Sequence, residues 1–260
     1  MKINIGLIGL GFVGGALKKS FEEKNINIVC YDKYKNGGIG NIKDTLQTDI
    51  TFLCLPTQLK NKMFDLCGLN EILNYYNNKK YEGDVVIKST LTPMTCNNFI
   101  KKYSKLNIVH NPEFLSAKTA YEDFHNQKHI VIGGNSDLLF EFYKFFYPKS
   151  DISIMNHIES ESLKIFSNSF YSVKIQFFNE LYDMCQKLDN CDYNIIKKGI
   201  IKNGWVNEQH TSVPGSDGKL SYGGACFPKD TTALLQYLLN ENIRCKVLNA
   251  TVIENMEMRN

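Results

Sequence analysis

Cys226 is the side chain best suited to covalent chemistry. It lies in Gly223-Gly224-Ala225-Cys226-Phe227-Pro228-Lys229-Asp230. Pro228 suits the first turn of a helix, where its missing N–H would have no intrahelical partner. Ala233, Leu234, Tyr237 and Leu238 follow at helical spacing, which predicts a helix from Pro228 to Asn240. A thiol just ahead of a helix start meets the positive end of the helix dipole, which favours the nucleophilic thiolate. Gly223 and Gly224 leave room for a ligand against the backbone, and Asp230 in the first turn can accept a proton. A lone cysteine in such a place is ordinarily a core residue; the glycine pair with Lys229 and Asp230 turns the reading towards a nucleophile.

Two further sets of residues have spacings with chemical meaning. Lys164 and Asn168 stand one helical turn apart and share a face with Ser172 and Asn179. Alone, Lys164 would read as a surface lysine. Near the N-terminus, Gly9-Leu10-Gly11-Phe12-Val13-Gly14 is a GxGxxG pattern. Its glycines allow a tight turn, close approach of a pyrophosphate and close helix–strand packing. Asp32 closes the next apolar run, where a carboxylate suits the ribose hydroxyls of NAD and repels the 2′-phosphate of NADP. Lys33 and Lys35 weigh slightly for NADP; NAD is favoured.

The elements that must position these residues follow from the apolar pattern. Strands are predicted at Ile3–Ile8, Ile26–Tyr31, Asp49–Leu55, Asp84–Lys88, Leu106–His110, His129–Ile132 and Asp151–Met155, with helices after the glycine motif and at Phe64–Tyr76 and Thr92–Tyr103. This alternation predicts an α/β fold with a Rossmann-like, doubly wound, mostly parallel sheet. Ligands of such sheets bind at the carboxyl ends of the strands. Pro56-Thr57, Ser89-Thr90 and Asn111-Pro112-Glu113 all fall there. From His157 to Leu188 there is no Gly or Pro, and apolar residues recur in steps of three and four. A single helix of about 48 Å is expected, apolar on more than one side, with Asn156 as its cap. Further helices are predicted at Cys191–Lys202 and Lys246–Met258, and the long polar stretch His210–Tyr222 reads as a functional or mobile loop. The domain division expected is 1–156 for dinucleotide binding and 157–260 for an all-helical domain with a long spine helix.

Composition sets bounds. The 260 residues carry a formal charge of +3 without a dense basic block, which argues against nucleic acid as a partner. No signal peptide or membrane span is visible. Eight cysteines lack metal-ligand spacing, so no metal is expected, and free thiols suit a cytoplasmic location. Cys30, Cys54 and Cys67 read as core fillers.

The octet around Cys226 closely resembles the GGxCFPKD motif of the UDP-glucose/GDP-mannose dehydrogenase family, and other stretches resemble that family in the same order. Cys54-Leu55-Pro56-Thr57 is similar to its VPTP loop near the cofactor. Lys88-Ser89-Thr90 is similar to its KST segment, Asn111 to Leu115 to NPEFL, Glu161 to Asn168 to ExxKxxxN, and His210–Tyr222 to its substrate-covering loop. The resemblance implies NAD-dependent oxidation of a nucleotide sugar at C6 to the uronic acid, with UDP-glucose the first expectation. The alternatives are GDP-mannose or another sugar nucleotide, or a degenerate binding protein with little turnover.

The implied roles are these. Cys226 attacks the aldehyde, Lys164 and Asn168 hold the oxyanion, and Glu113 with Thr90 and Asp230 orients the hydrolytic water. NAD meets Gly9, Gly11, Phe12, Val13, Gly14, Asp32, Pro56, Thr57, Ser89 and Thr90. The sugar nucleotide meets Phe114, Leu115, Lys164, Asn168, Tyr222, Gly223 and Gly224. A homodimer through the helical domain is also expected, as is the lack of the family's usual third domain. Ala117 stands where the family often has a second acidic residue.

Overall fold

The computed structural model describes residues 1–259. They form two compact units, one of Met1–Gln58 with Phe64–Lys164 and one of Leu59–Met63 with residues 165–259.

The first unit is built on seven strands: β1 (Asn4–Ile8), β2 (Asn27–Tyr31), β3 (Ile50–Leu53), β6 (Asp84–Ile87), β7 (Asn107–His110), β8 (His129–Gly133) and β9 (Asp151–Met155). They lie in the order β2-β1-β3-β6-β7-β8-β9. Every ladder is parallel except β7–β8, which meet antiparallel through His110 and Gly133. Side chains alternate across the sheet as the pleat requires. Phe52, Val86 and Val109 enter one core with Leu17 and Phe21 of α1 (Phe12–Glu23) and Phe142 of α5 (Asp137–Phe146). Leu53, Val85, Ile87 and Ile108 enter the other with Leu69 and Leu73 of α2 (Cys67–Lys79) and Phe99 of α3 (Thr95–Lys102). This is the doubly wound arrangement expected, with a short α4 (Ala120–His125) before β8.

Two expectations are corrected here. The helix predicted from Phe64 begins only at Cys67, because the chain first makes a hairpin of β4 (Leu59–Lys60) and β5 (Met63–Phe64). Asn61 and Lys62 adopt φ of 52° and 63° at its tip, the paired left-handed geometry that two-residue hairpins favour. The Asp65 carboxylate then accepts from Cys67 N–H at 2.9 Å and starts the helix. Cys67 is therefore exposed at a helix start and is no core filler.

In the second unit the long helix α6 (His157–Lys187) runs on from Ile165, joined by α7 (Tyr193–Lys202), α8 (Phe227–Asn240) and α9 (Lys246–Arg259). Asn156 starts α6 through a reciprocal capping box: its Oδ1 accepts from Glu159 N at 3.0 Å, and Glu159 Oε2 accepts from Asn156 N at 2.8 Å. Phe178 and Cys185 of α6 bury against Tyr193 of α7. Phe166, Phe170, Phe177, Met184 and Leu188 remain exposed.

Candidate active site

Within the first unit the glycine motif links β1 to α1. Gly9 has φ of 86°, and a Cβ there would strike the Cys54 carbonyl; one at Gly14 would strike the Gly9 carbonyl. A Cβ at Gly11 would meet nothing within 4 Å, so the start of α1 stands open. No side chain caps that first turn and no acidic residue lies in it, which suits an anion at the helix N-terminus. Phe12 is exposed beside it and Val13 half-buried.

Asp32 directly follows β2. Its Oδ2 accepts from Leu10 N at 2.7 Å, and its Oδ1 from the Tyr34 and Lys35 amides at 2.9 Å each. Burial works against its charge, but these amides and the Lys35 ammonium outweigh it and hold the carboxyl below its ordinary range. Lys33 is bound to Glu71 at 2.8 Å and Lys35 to the Leu10 carbonyl, so both ammonium groups already have partners inside the unit. The residues present fit NAD: an open helix start for the pyrophosphate, and a carboxylate with acceptor capacity left for hydroxyls.

At the strand ends, Pro56 and Thr57 follow β3, and Ser89 and Thr90 follow β6. Two hydroxyls tie these segments together: Thr57 Oγ1 donates to Thr90 O at 3.0 Å, and Ser89 Oγ to Leu55 O at 2.6 Å. Glu113, Phe114 and Leu115 follow β7. Glu113 Oε2 accepts from Leu115 N at 2.6 Å, and its Oε1 lies 3.3 Å from Lys164 Nζ. Lys164 is 3% exposed, no surface lysine, and stands 5.2 Å over the Phe114 ring. The start of this loop is held by Lys88, whose Nζ donates to Asn111 Oδ1 at 2.9 Å and to Pro112 O at 3.3 Å. Burial lowers the Lys88 ammonium to about 8. Tyr143 also donates to Asn111. Lys88 and Asn111 sit inside the quoted motifs, but their mutual bond has no sequence signal.

The second unit carries Cys226 at the start of α8, exposed, with Phe227 and Pro228 opening the helix. One turn on, Asp230 is fully buried. Asn168 Nδ2 donates to Asp230 Oδ2 at 2.6 Å, and Lys229 pairs with Oδ1. Ser172 Oγ meets Thr231 Oγ1 at 2.7 Å, and Asn179 Oδ1 accepts from Ser221 N at 2.9 Å. The shared face predicted on α6 is therefore a row of polar side chains with buried partners.

Gly223 and Gly224 differ in their surroundings. A Cβ at Gly223 would meet the guanidinium of Arg259, from α9; Gly224, at φ of 78°, is open. Arg259 also donates to Asp217 Oδ2 and Ser221 O, each at 2.8 Å, while Asn255 donates to Tyr222 O at 2.7 Å. Tyr222 is buried with its hydroxyl 3.4 Å from Thr251 O. These bonds pin the end of the His210–Tyr222 loop. Its beginning is held by His210, whose ring lies 4.7 Å from Tyr171 and 5.3 Å from Phe227. No signal in the sequence singles out Arg259 or Asn255, because their partners lie more than thirty residues away along the chain.

Among the described residues, no group of three or more His, Cys, Asp or Glu could hold a metal ion, and no helix is long and apolar enough to cross a membrane.

Residues 39–150 match the NAD binding domain, and residues 158–257 the central domain, of the UDP-glucose/GDP-mannose dehydrogenase family. The UDP-glucose 6-dehydrogenase of Rickettsia bellii is 36% identical over 66% of this chain and 41% of its own length. That of Rickettsia felis is 33% identical over 66% of the chain and 39% of its own. The chain thus spans about two fifths of these relatives. The UDP-glucose 6-dehydrogenase of Campylobacter jejuni is 29% identical over 99% of the chain and 72% of its own length. Among solved structures, a UDP-glucose dehydrogenase from Pyrobaculum islandicum superposes with a TM-score of 0.85 at 22% identity, covering 99% of this chain and 68% of that one.

Proposed function

Because the chain belongs to the UDP-glucose/GDP-mannose dehydrogenase family, we propose that it oxidises the C6 alcohol of a nucleotide sugar, UDP-glucose first among them, to the uronic acid. The observation that carries this reading is the start of α8: an exposed Cys226 one turn ahead of a buried Asp230 that Asn168 and Lys229 hold.

NAD, when bound, supplies the hydride acceptor for both two-electron oxidations; Gly9, Gly11, Gly14 and Asp32 would hold it. Cys226 adds through sulfur to the C6 aldehyde, and the negative charge that builds on oxygen is stabilised by Lys164 and Asn168. After the second oxidation the substrate is a thioester on Cys226. Glu113 removes a proton from the attacking water, the C–S bond breaks, and the thiol returns with the carboxylic acid released. The 3.3 Å contact between Lys164 and Glu113 supports a division of labour in which the ammonium fixes the position of the carboxylate that accepts that proton. Phe114, Leu115, Tyr222 and Gly224 are the proposed sugar-nucleotide contacts, and the exposed apolar stripe of α6 is the proposed dimer face.

The experiment is turnover with UDP-glucose, GDP-mannose and CDP-glucose, each with NAD and with NADP, counting reduced cofactor per product. Two NADH per uronic acid from UDP-glucose is the expected result. One NADH per product would remove the thioester step, and a preference for NADP would overturn the role of Asp32. Ala117, in place of a second acidic residue, favours a second reading: a binding protein with little turnover. Tight NAD and UDP-glucose binding without NADH would establish it.

A further inference from the structure

α3 has no cap of its own. The residue before it, Met94, has φ of 73° and offers no side-chain acceptor to the first turn. The acceptor comes instead from α6: Glu161, fully buried, takes the Cys96 N–H on Oε1 at 2.6 Å across 65 residues of sequence. Burial pushes this carboxyl up to about 7, although the Cys96 amide and thiol and the Met94 and Thr95 amides all favour its charged form. A serine or aspartate at position 94 would cap the helix locally without burying a charge. What a local cap cannot do is tie α3 to the helix that carries Lys164.

The neighbouring residue grips the same segment at its other end. His110 Nε2 lies 3.3 Å from Ser89 O, and Nδ1 lies 2.7 Å from Ser160 Oγ. Burial lowers the His110 ring to about 3, so it is neutral. A carbonyl only accepts; Nε2 therefore carries the proton and Nδ1 accepts from the Ser160 hydroxyl. Gly133 lets this turn of α6 come close, since a Cβ there would strike Ser160. Ser160 and Glu161 thus hold the two ends of residues 89–96, the segment that bears Thr90.

We propose that Glu161 is a positioning residue: with Ser160 and His110 it fastens the 89–96 segment to α6 and sets Thr90 relative to Lys164, three residues further along the helix. Its catalytic consequence rests on the function proposed above. The test compares Glu161→Leu, which removes every acceptor, with Glu161→Gln, which keeps one. Amide hydrogen exchange is read at Met94, Thr95 and Cys96, and kcat and KM with NAD and UDP-glucose. In Glu161→Leu those amides exchange faster and kcat falls about 10²-fold, the scale of a reacting group displaced by an ångström. Glu161→Gln recovers roughly tenfold of that loss, the scale of one hydrogen bond.

Unchanged exchange at these amides overturns the grip, and faster exchange with unaltered kcat overturns the positioning role. If Glu161→Leu does not fold, Glu161→Gln decides alone: exchange must rise at these amides and not elsewhere, together with a loss of kcat. A wild-type protein without turnover on any nucleotide sugar removes the proposed function and the catalytic consequence, and the exchange result then judges the grip separately.

Discussion

Thr57, Ser89, Thr90 and Glu113 of the first unit ride on strand ends, whereas Asn168, Asp230 and Cys226 of the second ride on helices. The difference lies in what places them. Leu53 pairs with Ile87, and Ile87 with His110, along parallel ladders. The strand ends are set side by side by backbone hydrogen bonds, and the residues that follow are then joined by side chains bonded to the neighbouring backbone. In the helical unit the polar groups are placed through their own side chains: Asn168 by the Asp230 carboxylate, Ser172 by the Thr231 hydroxyl, Asn179 by the backbone amide of Ser221. Backbone placement tolerates substitution of a neighbour; side-chain placement of buried groups does not, because the abandoned partner keeps its desolvation penalty.

The largest effect is expected at the proposed nucleophile. Cys226 is exposed, so Cys226→Ser leaves the thermal midpoint unchanged while uronic acid formation falls by on the order of 10⁴-fold or more, the scale of removing a covalent nucleophile. Acid formed at the wild-type rate would remove Cys226 from the mechanism.

Lys164→Met tests the buried ion pair between α6 and the segment that follows β7. Breaking a buried pair costs about 3 kcal/mol in urea unfolding, and loss of the oxyanion cation lowers kcat by about 10²–10³-fold. Adding Glu113→Gln restores most of the stability and none of the activity. Recovery of both together would mean that Lys164 serves the fold alone.

The contrast between the units is sharpened by a matched pair. Asn168→Ala leaves the buried Asp230 without its amide donor and costs about 2–3 kcal/mol, towards the upper end for a charged group. Ser89→Ala removes only a hydroxyl donated to the Leu55 carbonyl and costs about 1 kcal/mol. Equal losses in denaturant titrations would break the distinction drawn between backbone and side-chain placement.

The smallest effect is a slope. His110 stays neutral in the folded protein to about pH 3 but takes up a proton near pH 6.5 once unfolded. Its depressed value means that stability is fully present above pH 6.5 and lost as pH falls towards 3. From pH 6.5 to 5.5 the wild type should lose about 1 kcal/mol relative to His110→Gln. Glu161, raised to about 7, acts with the opposite sign: its burden is relieved as pH falls from 7 to the ordinary carboxyl range. Parallel unfolding curves for wild type and His110→Gln across that unit of pH would contradict the neutral state of the buried ring.

Local pattern made much of this molecule legible. Apolar runs ended by Gly, Pro, Ser or Asn marked the seven strands to within two or three residues, because strand pairing needs only the period-two pattern and a turn. The span of α6 was readable because nothing in it breaks a helix, and Asn156 with Glu159 carries a capping signature. Cys226 at a helix start followed from Pro228. The β4–β5 hairpin escaped because Asn-Lys at its tip lacks the glycine that usually announces such turns.

Which polar groups would meet was decided by the tertiary structure alone. Cys96 and Glu161 are separated by 65 residues, Asn168 and Asp230 by 62. Residue type specifies that a buried carboxylate must find donors, but not which ones, since any amide or ammonium satisfies the same requirement. Gly223 makes the point most sharply. Its sequence context indicates only that something approaches the backbone there, and the packing of α9 made that something the guanidinium of Arg259.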